Sequence, residues 1–119
     1  MQIRALSDAE PFITADGSTI RSLLDRTTAP VRHQSLAEAT IAAGAATTRH
    51  YHPAAEEIYF LITGHGDMEI DGEHARVGPG DAILIPAGSW HQITADAGGD
   101  IRMLCCCSPP YAHDDTYFD

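Results

Sequence analysis

Apolar and polar residues alternate along this chain in short runs, and Gly, Pro and Asp cut the runs at close intervals. A period of two marks half-buried strands, because successive strand side chains point to opposite faces. The pattern predicts strands at Ser18–Leu24, Arg32–Ile41, Thr47–His52, Glu57–Thr63, Asp67–Ile70, His74–Val77, Ala82–Ile85, Trp90–Thr94 and Ile101–Cys107. Asp71-Gly72 reads as a two-residue hairpin turn, and Gly64-His65-Gly66, Gly78-Pro79-Gly80-Asp81 and Pro86-Ala87-Gly88 as further turns. A helical period is nearly absent; Leu6–Glu10 supports at most a turn. Many short strands at even spacing in one domain, residues 1–119, predict an all-β antiparallel sandwich or barrel.

Composition narrows the partners. Seven basic residues against seventeen acidic ones leave a formal charge of −10. Such a balance repels phosphate backbones and anionic lipid, so neither nucleic acid nor a membrane is an expected partner. All seven basic residues are arginine, which excludes a Schiff-base lysine and a phosphate loop ending in Gly-Lys-Ser/Thr. No asparagine occurs, which removes N-glycosylation and a Cys-His-Asn hydrolase arrangement, and no serine sits in Gly-x-Ser-x-Gly. Met1-Gln2-Ile3-Arg4 opens no apolar run of signal-peptide length, and no stretch is long enough to cross a bilayer. The three cysteines are adjacent, Cys105-Cys106-Cys107, and cannot staple distant segments together. A reducing, cytoplasmic setting is expected.

The candidate chemistry lies in histidines and one carboxylate. His50 and His52 stand two apart in an extended run, on one face and about 7 Å apart at the backbone, close enough to converge on one ion. Glu57 opens the apolar run Ile58–Ile62, where a carboxylate entering the core is costly unless it is paired or binds metal. His91 opens another predicted strand region after the turn at Pro86. Three imidazoles and a carboxylate suit one divalent ion among Fe, Mn, Ni, Co, Cu and Zn.

These residues resemble the cupin family. Gly44, five residues, His50-x-His52, four residues, Glu57, six residues, Gly64 matches the first cupin motif, and Gly80, five residues, Pro86-x-Gly88, two residues, His91 matches the second. Fifteen residues separate Gly64 from Gly80, the short spacer of compact microbial cupins. One position departs: the asparagine that usually closes the second motif is Ala95, and in the family that residue is not a metal ligand. The resemblance implies a double-stranded β-helix, the jelly-roll cupin barrel, with His50, His52, Glu57 and His91 holding one divalent metal and two positions left open. The same spacing selects Glu57 over Glu56, and alternation points Glu56 the other way. The resemblance also implies a homodimer paired through outer sheets.

Alternation extends the reading to the cavity wall. Tyr59 and Leu61 share the face of Glu57, and Thr48 that of His50 and His52, so Thr48, Tyr59 and Leu61 are expected to line the pocket. Arg49 and Tyr51 then face outward, toward a second subunit, and Trp90 points away from the metal. Arg32 and Arg102 are the candidate cations for a substrate carboxylate or phosphate. His65 and His74 lie in turn and hairpin positions that read as solvated, whereas His33 can reach the pocket from its strand. Cys105 and Cys107 share a face and read as packing residues. The tail 109–115, with His113, either folds over a barrel mouth or meets a second subunit.

A metal with open positions can bind O2 beside a chelating substrate, polarise a carbonyl toward an enolate, or activate water. The resemblance therefore implies a metal-dependent enzyme acting on a small oxygen-rich organic molecule, with a dioxygenase leading. A non-catalytic metal- or small-molecule-binding or sensing barrel, and a sugar isomerase-like cupin, are the alternatives.

Overall fold

The structure, a computed structural model, describes residues 1–118. A short 3-10 turn at Leu6–Asp8 precedes β1 (Phe12–Ile13), β2 (Thr19–Leu24), β3 (Ser35–Ile41), β4 (His50–Tyr51) and β5 (Glu56–Thr63). There follow β6 (Gly66–Ile70), β7 (Glu73–Val77), β8 (Ala82–Ile85), β9 (His91–Ala95), β10 (Ile101–Ser108), a 3-10 turn at His113–Asp115 and β11 (Tyr117–Phe118). Two antiparallel sheets form, one in the order β1-β2-β3-β10-β5-β8 and the other β11-β4-β9-β6-β7. This is the jelly-roll barrel. No helix among the described residues is long and apolar enough to cross a membrane.

Alternation on facing strands builds the core. Along β5, Glu57, Tyr59 and Leu61 are buried while Glu56, Ile58 and Phe60 are exposed. Along β9, His91, Ile93 and Ala95 are buried. Ile41, Leu61, Met68, Ile85, Ile93, Ile101 and Met103 pack together in the core, and His50, His52, Glu57 and His91 are buried as well. The Asp71-Gly72 hairpin is as expected: both residues have positive φ, 48° and 87°, which matches the twist of the flanking strands. At the β5–β6 junction the chain turns so closely that a Cβ on Gly64 would stand 2.2 Å from the Asp100 carbonyl oxygen, and one on Gly66 2.1 Å from that of Thr94. Only glycine fits these two places.

Ala82–Ile85 has the expected bounds, five expected strands differ by one residue at one end, and three differ further. Arg32–Ile41 begins only at Ser35, because its partner β10 pairs Cys107 with Ser35 and then runs into Pro109, which offers no N–H to continue the ladder. Thr47–His52 is cut to His50–Tyr51. There the Thr47 hydroxyl accepts from the Ile93 N–H at 3.1 Å, in place of a backbone carbonyl, and the Gln92 side chain takes the Thr47 carbonyl at 2.9 Å. The side chain intrudes in the ladder, so strict alternation fails before His50. Trp90–Thr94 is shifted to His91–Ala95. The two-residue strands β1 and β11 are too short to leave a periodic signal.

Leu61 is fully buried in the centre of this packing. Leu61→Ala should lower the unfolding free energy by about 2–5 kcal/mol, the usual cost of a buried leucine cavity. A urea titration should show this as an earlier midpoint at unchanged slope; an unmoved midpoint would contradict the packing described.

Candidate metal centre

Both sheets contribute to one cluster. His50 and His91, the first residues of β4 and β9, stand directly opposite each other, with ring centroids 4.2 Å apart. His52 follows β4, and Glu57 faces them from β5 on the other sheet. All four residues are buried, at 5% exposure or less. One ligand atom from each lies within 4.8 Å of all the others.

The histidines are aimed from behind. His50 Nδ1 donates to the Thr48 carbonyl at 2.6 Å, His91 Nδ1 to the Ser89 carbonyl at 2.9 Å, and His52 Nδ1 to the Asp115 carbonyl at 3.1 Å. Each bond fixes a tautomer that leaves the Nε2 lone pair free and turned inward, the arrangement metal-binding histidines use. His52 Nε2 and His91 Nε2 stand 3.0 and 3.3 Å from Glu57 Oε1. These contacts are close without hydrogen-bond alignment: Glu57 Oε1 and His91 Nε2 are buried with no hydrogen-bond partner among the described residues. Metal bonds of about 2.0–2.2 Å place neighbouring ligand atoms roughly 3.0–3.5 Å apart, so a shared cation satisfies both orphaned atoms at the observed spacing. The group fits one metal ion.

Electrostatics agree with that use. Burial pushes Glu57 up, but the two facing imidazoles outweigh it and hold the carboxyl far below its usual range. Burial and the neighbouring His91 push His50 down, so its imidazole stays neutral. For His52 burial acts downward too, yet the Glu57 carboxylate more than offsets it and the net shift is upward. Glu57 Oε2 accepts a hydrogen bond from Cys107 Sγ at 3.3 Å. Burial first, and Glu57 second, push the Cys105 and Cys107 thiols up.

The cavity beside the cluster is lined by Tyr59, Cys105, Cys107, Tyr111 and Asp16, with Ile20, Ala39 and Met103 as apolar wall. Of the residues expected there, Tyr59 reaches it. Leu61 lies one alternation deeper, in the core. Thr48 is a correction: it is exposed, outside a strand, because the Thr47 intrusion breaks the alternation that would turn it inward. Arg102 is another: it faces outward from β10 and donates to Glu38 at 3.0 Å, so it holds no substrate in this cavity. Arg32 and His33 lie exposed before β3, and His65, His74 and His113 are exposed. Glu56 is exposed and Trp90 turns away from the metal ligands, packing on Tyr51 and under the Arg49 guanidinium.

Sequence patterning left the place of the tail open between a barrel mouth and a second subunit, and it missed Asp16. The tail folds back onto its own barrel: Tyr117 pairs with Tyr51, Phe118 with His50, and the Asp115 carboxylate accepts from the Ala54 and Ala55 N–H groups. Asp16, in the turn after β1, brings Oδ2 to 3.9 Å from His50 Nε2. Nothing local marks either contact.

His52→Ala, His91→Ala and Glu57→Ala should each lose most bound metal, while Glu56→Ala retains it; equal loss in the Glu56 and Glu57 variants would show the register to be wrong. Ending the chain at Ala112 removes the acceptor for His52 Nδ1. Metal affinity should then fall about 10–100-fold, as for other second partners of metal-bound histidines, in a competition titration with a chelator. Unchanged affinity would mean the tail does not orient His52.

The family model Cupin_2, the cupin domain, matches residues 37–107. An uncharacterized protein of Methanocaldococcus jannaschii is 43% identical over 107 residues, spanning 90% of this chain and 86% of its own. Acireductone dioxygenase 4 of Arabidopsis thaliana is 34% identical over 62 residues, 48% of this chain and 33% of that enzyme. Among solved structures, the polyketide cyclase RemF from Streptomyces resistomycificus superposes with a TM-score of 0.79 at 25% identity, over 91% of this chain and 79% of RemF. With the family model covering more than half of its length, this chain belongs to the cupin domain family.

Proposed function

We propose that this cupin is a metal-dependent enzyme acting on a small oxygen-bearing organic molecule, with an O2-dependent, dioxygenase-type reaction as the leading chemistry. The observation that carries this reading is the pair of orphaned, buried atoms, Glu57 Oε1 and His91 Nε2, inside a preoriented three-histidine set. His50, His52, Glu57 and His91 would hold a divalent ion, which would supply Lewis-acid chemistry toward an oxygen-bearing substrate.

The chain's own groups do the rest. Burial, reinforced by the charge of Glu57, keeps the Tyr59 phenol protonated, so it serves as an O–H donor to substrate. Ile20, Ala39 and Met103 keep the cavity apolar and limit water, which strengthens each polar contact inside it. Cys107, protonated and bonded to Glu57 Oε2, holds the carboxylate so that Oε1 faces the histidines. The likeness to acireductone dioxygenase supports oxygen chemistry. The likeness to the polyketide cyclase supports a second reading, ring closure of an enolisable carbonyl compound without O2.

Iron-loaded protein offered a panel of diphenols and hydroxyketones in an oxygen electrode separates these readings. Substrate-dependent O2 uptake is expected, reduced at least about a hundredfold in His91→Ala because a ligand is gone. Product formed equally under argon would replace the oxygenase reading with the cyclase one. Saturable binding with neither O2 nor ligand consumed would make the barrel a binding or sensing module.

A further inference from the structure

The cavity wall carries an imbalance of charge that bears on what can enter. Among the described residues lining it are the carboxylates of Asp16, Asp25 and Glu57, and no arginine. Arg21 and Arg102 lie instead along the outer groove of the six-stranded sheet, beside Glu38. Asp25 is engaged locally: its carboxylate accepts from the Ser22 hydroxyl and from the Thr27 and Thr28 N–H groups. Asp16 differs. Its Oδ1 is taken by the Ser18 N–H at 2.9 Å and the Ser18 hydroxyl at 2.6 Å, while Oδ2 is turned to the metal cluster, 3.9 Å from His50 Nε2. The loop that carries it is tied to the ligand strand, since the Thr48 N–H donates to the Asp16 carbonyl at 2.8 Å. Tyr59, 3% exposed, lines the same cavity.

We propose that Asp16 is a specificity-determining residue that reserves this cavity for uncharged, hydroxyl-bearing chelators and turns away carboxylates and phosphates. The inference rests on the metal-dependent reading above. A carboxylate accepts hydrogen bonds and donates none, so Oδ2 calls for an O–H donor on the ligand. Formal charges give the same answer: a divalent ion leaves the three wall carboxylates Asp16, Asp25 and Glu57 one negative charge in excess, and a chelating enolate adds another. A second anionic group would then stand in a largely apolar cavity with no cation left to pair with it, which is costly. An ammonium on the ligand would face the divalent ion itself, so the neutral hydroxyl is the form that suits both neighbours. Tyr59, as a donor, serves the ligand's acceptor oxygen.

Two hydroxypyranones test this, kojic acid, with a neutral hydroxymethyl group, and comenic acid, with a carboxylate in the same place. Each is titrated by calorimetry into cobalt(II)-loaded wild-type protein, Asp16→Asn and Asp16→Ala, after the cobalt content of each preparation is measured. Wild type should bind kojic acid at least about tenfold more tightly than comenic acid, and Asp16→Asn should shrink that ratio at least about threefold. Comenic acid binding wild type as tightly as kojic acid overturns the proposal, whichever variants fold. An unchanged ratio in cobalt-replete Asp16→Asn or Asp16→Ala overturns the role of Asp16 while leaving the metal site standing. Wild type that takes up no cobalt overturns the metal reading, and the selectivity falls with it.

Discussion

A carboxylate buried between two sheets sets the terms for the rest of this molecule. Glu57 is 5% exposed and enters the barrel at the start of a strand whose other inward residues are Tyr59 and Leu61. Removing such a charge from water costs several kcal/mol unless partners repay it. Its partners are the imidazoles of His52 and His91, and these, like His50 beside them, are each locked by a carbonyl behind so that the free nitrogen faces forward. Their geometry leaves two atoms unsatisfied without a cation, so the fold stores its capacity for chemistry in an incomplete pairing.

That pairing needs both sheets and the tail at once. His50 and His91 come from adjacent strands of one sheet, Glu57 from the other, and the acceptor that aims His52 from Asp115, 63 residues further along the chain. The apolar core beneath them keeps the sheets at a fixed separation, and Gly64 and Gly66 let the chain cross between the sheets without a side chain in the way. The site is thus a long-range property of the barrel: Cys107 and Asp115, both remote in sequence, hold Glu57 and His52, while His50 and His91 are aimed by carbonyls two residues before them.

The ligand positions were nonetheless legible in the sequence, because a metal fixes residue type and spacing together: His50, His52, Glu57 and His91 fall in one register. The Asp71-Gly72 hairpin was equally legible, since two positive φ angles in succession demand such a pair. Alternation served well wherever backbone paired with backbone, as along β5 and β9. It failed at Thr48, where the Thr47 hydroxyl replaces a carbonyl in the ladder, and it gave no parity for Arg102, which the Glu38 carboxylate holds on the outer face. Asp16 left no trace, and the tail was legible only as one of two alternatives, because their roles come from tertiary contact alone, with no period or spacing to reveal them.

The chemistry of this site depends on the three histidines and Glu57 holding an ion. Elemental analysis of untagged protein, purified without chelator under low oxygen and quantified per chain, tests this most directly. The geometry predicts close to one transition-metal ion per chain. Protein that carries no metal, and takes up none on reconstitution, would contradict it.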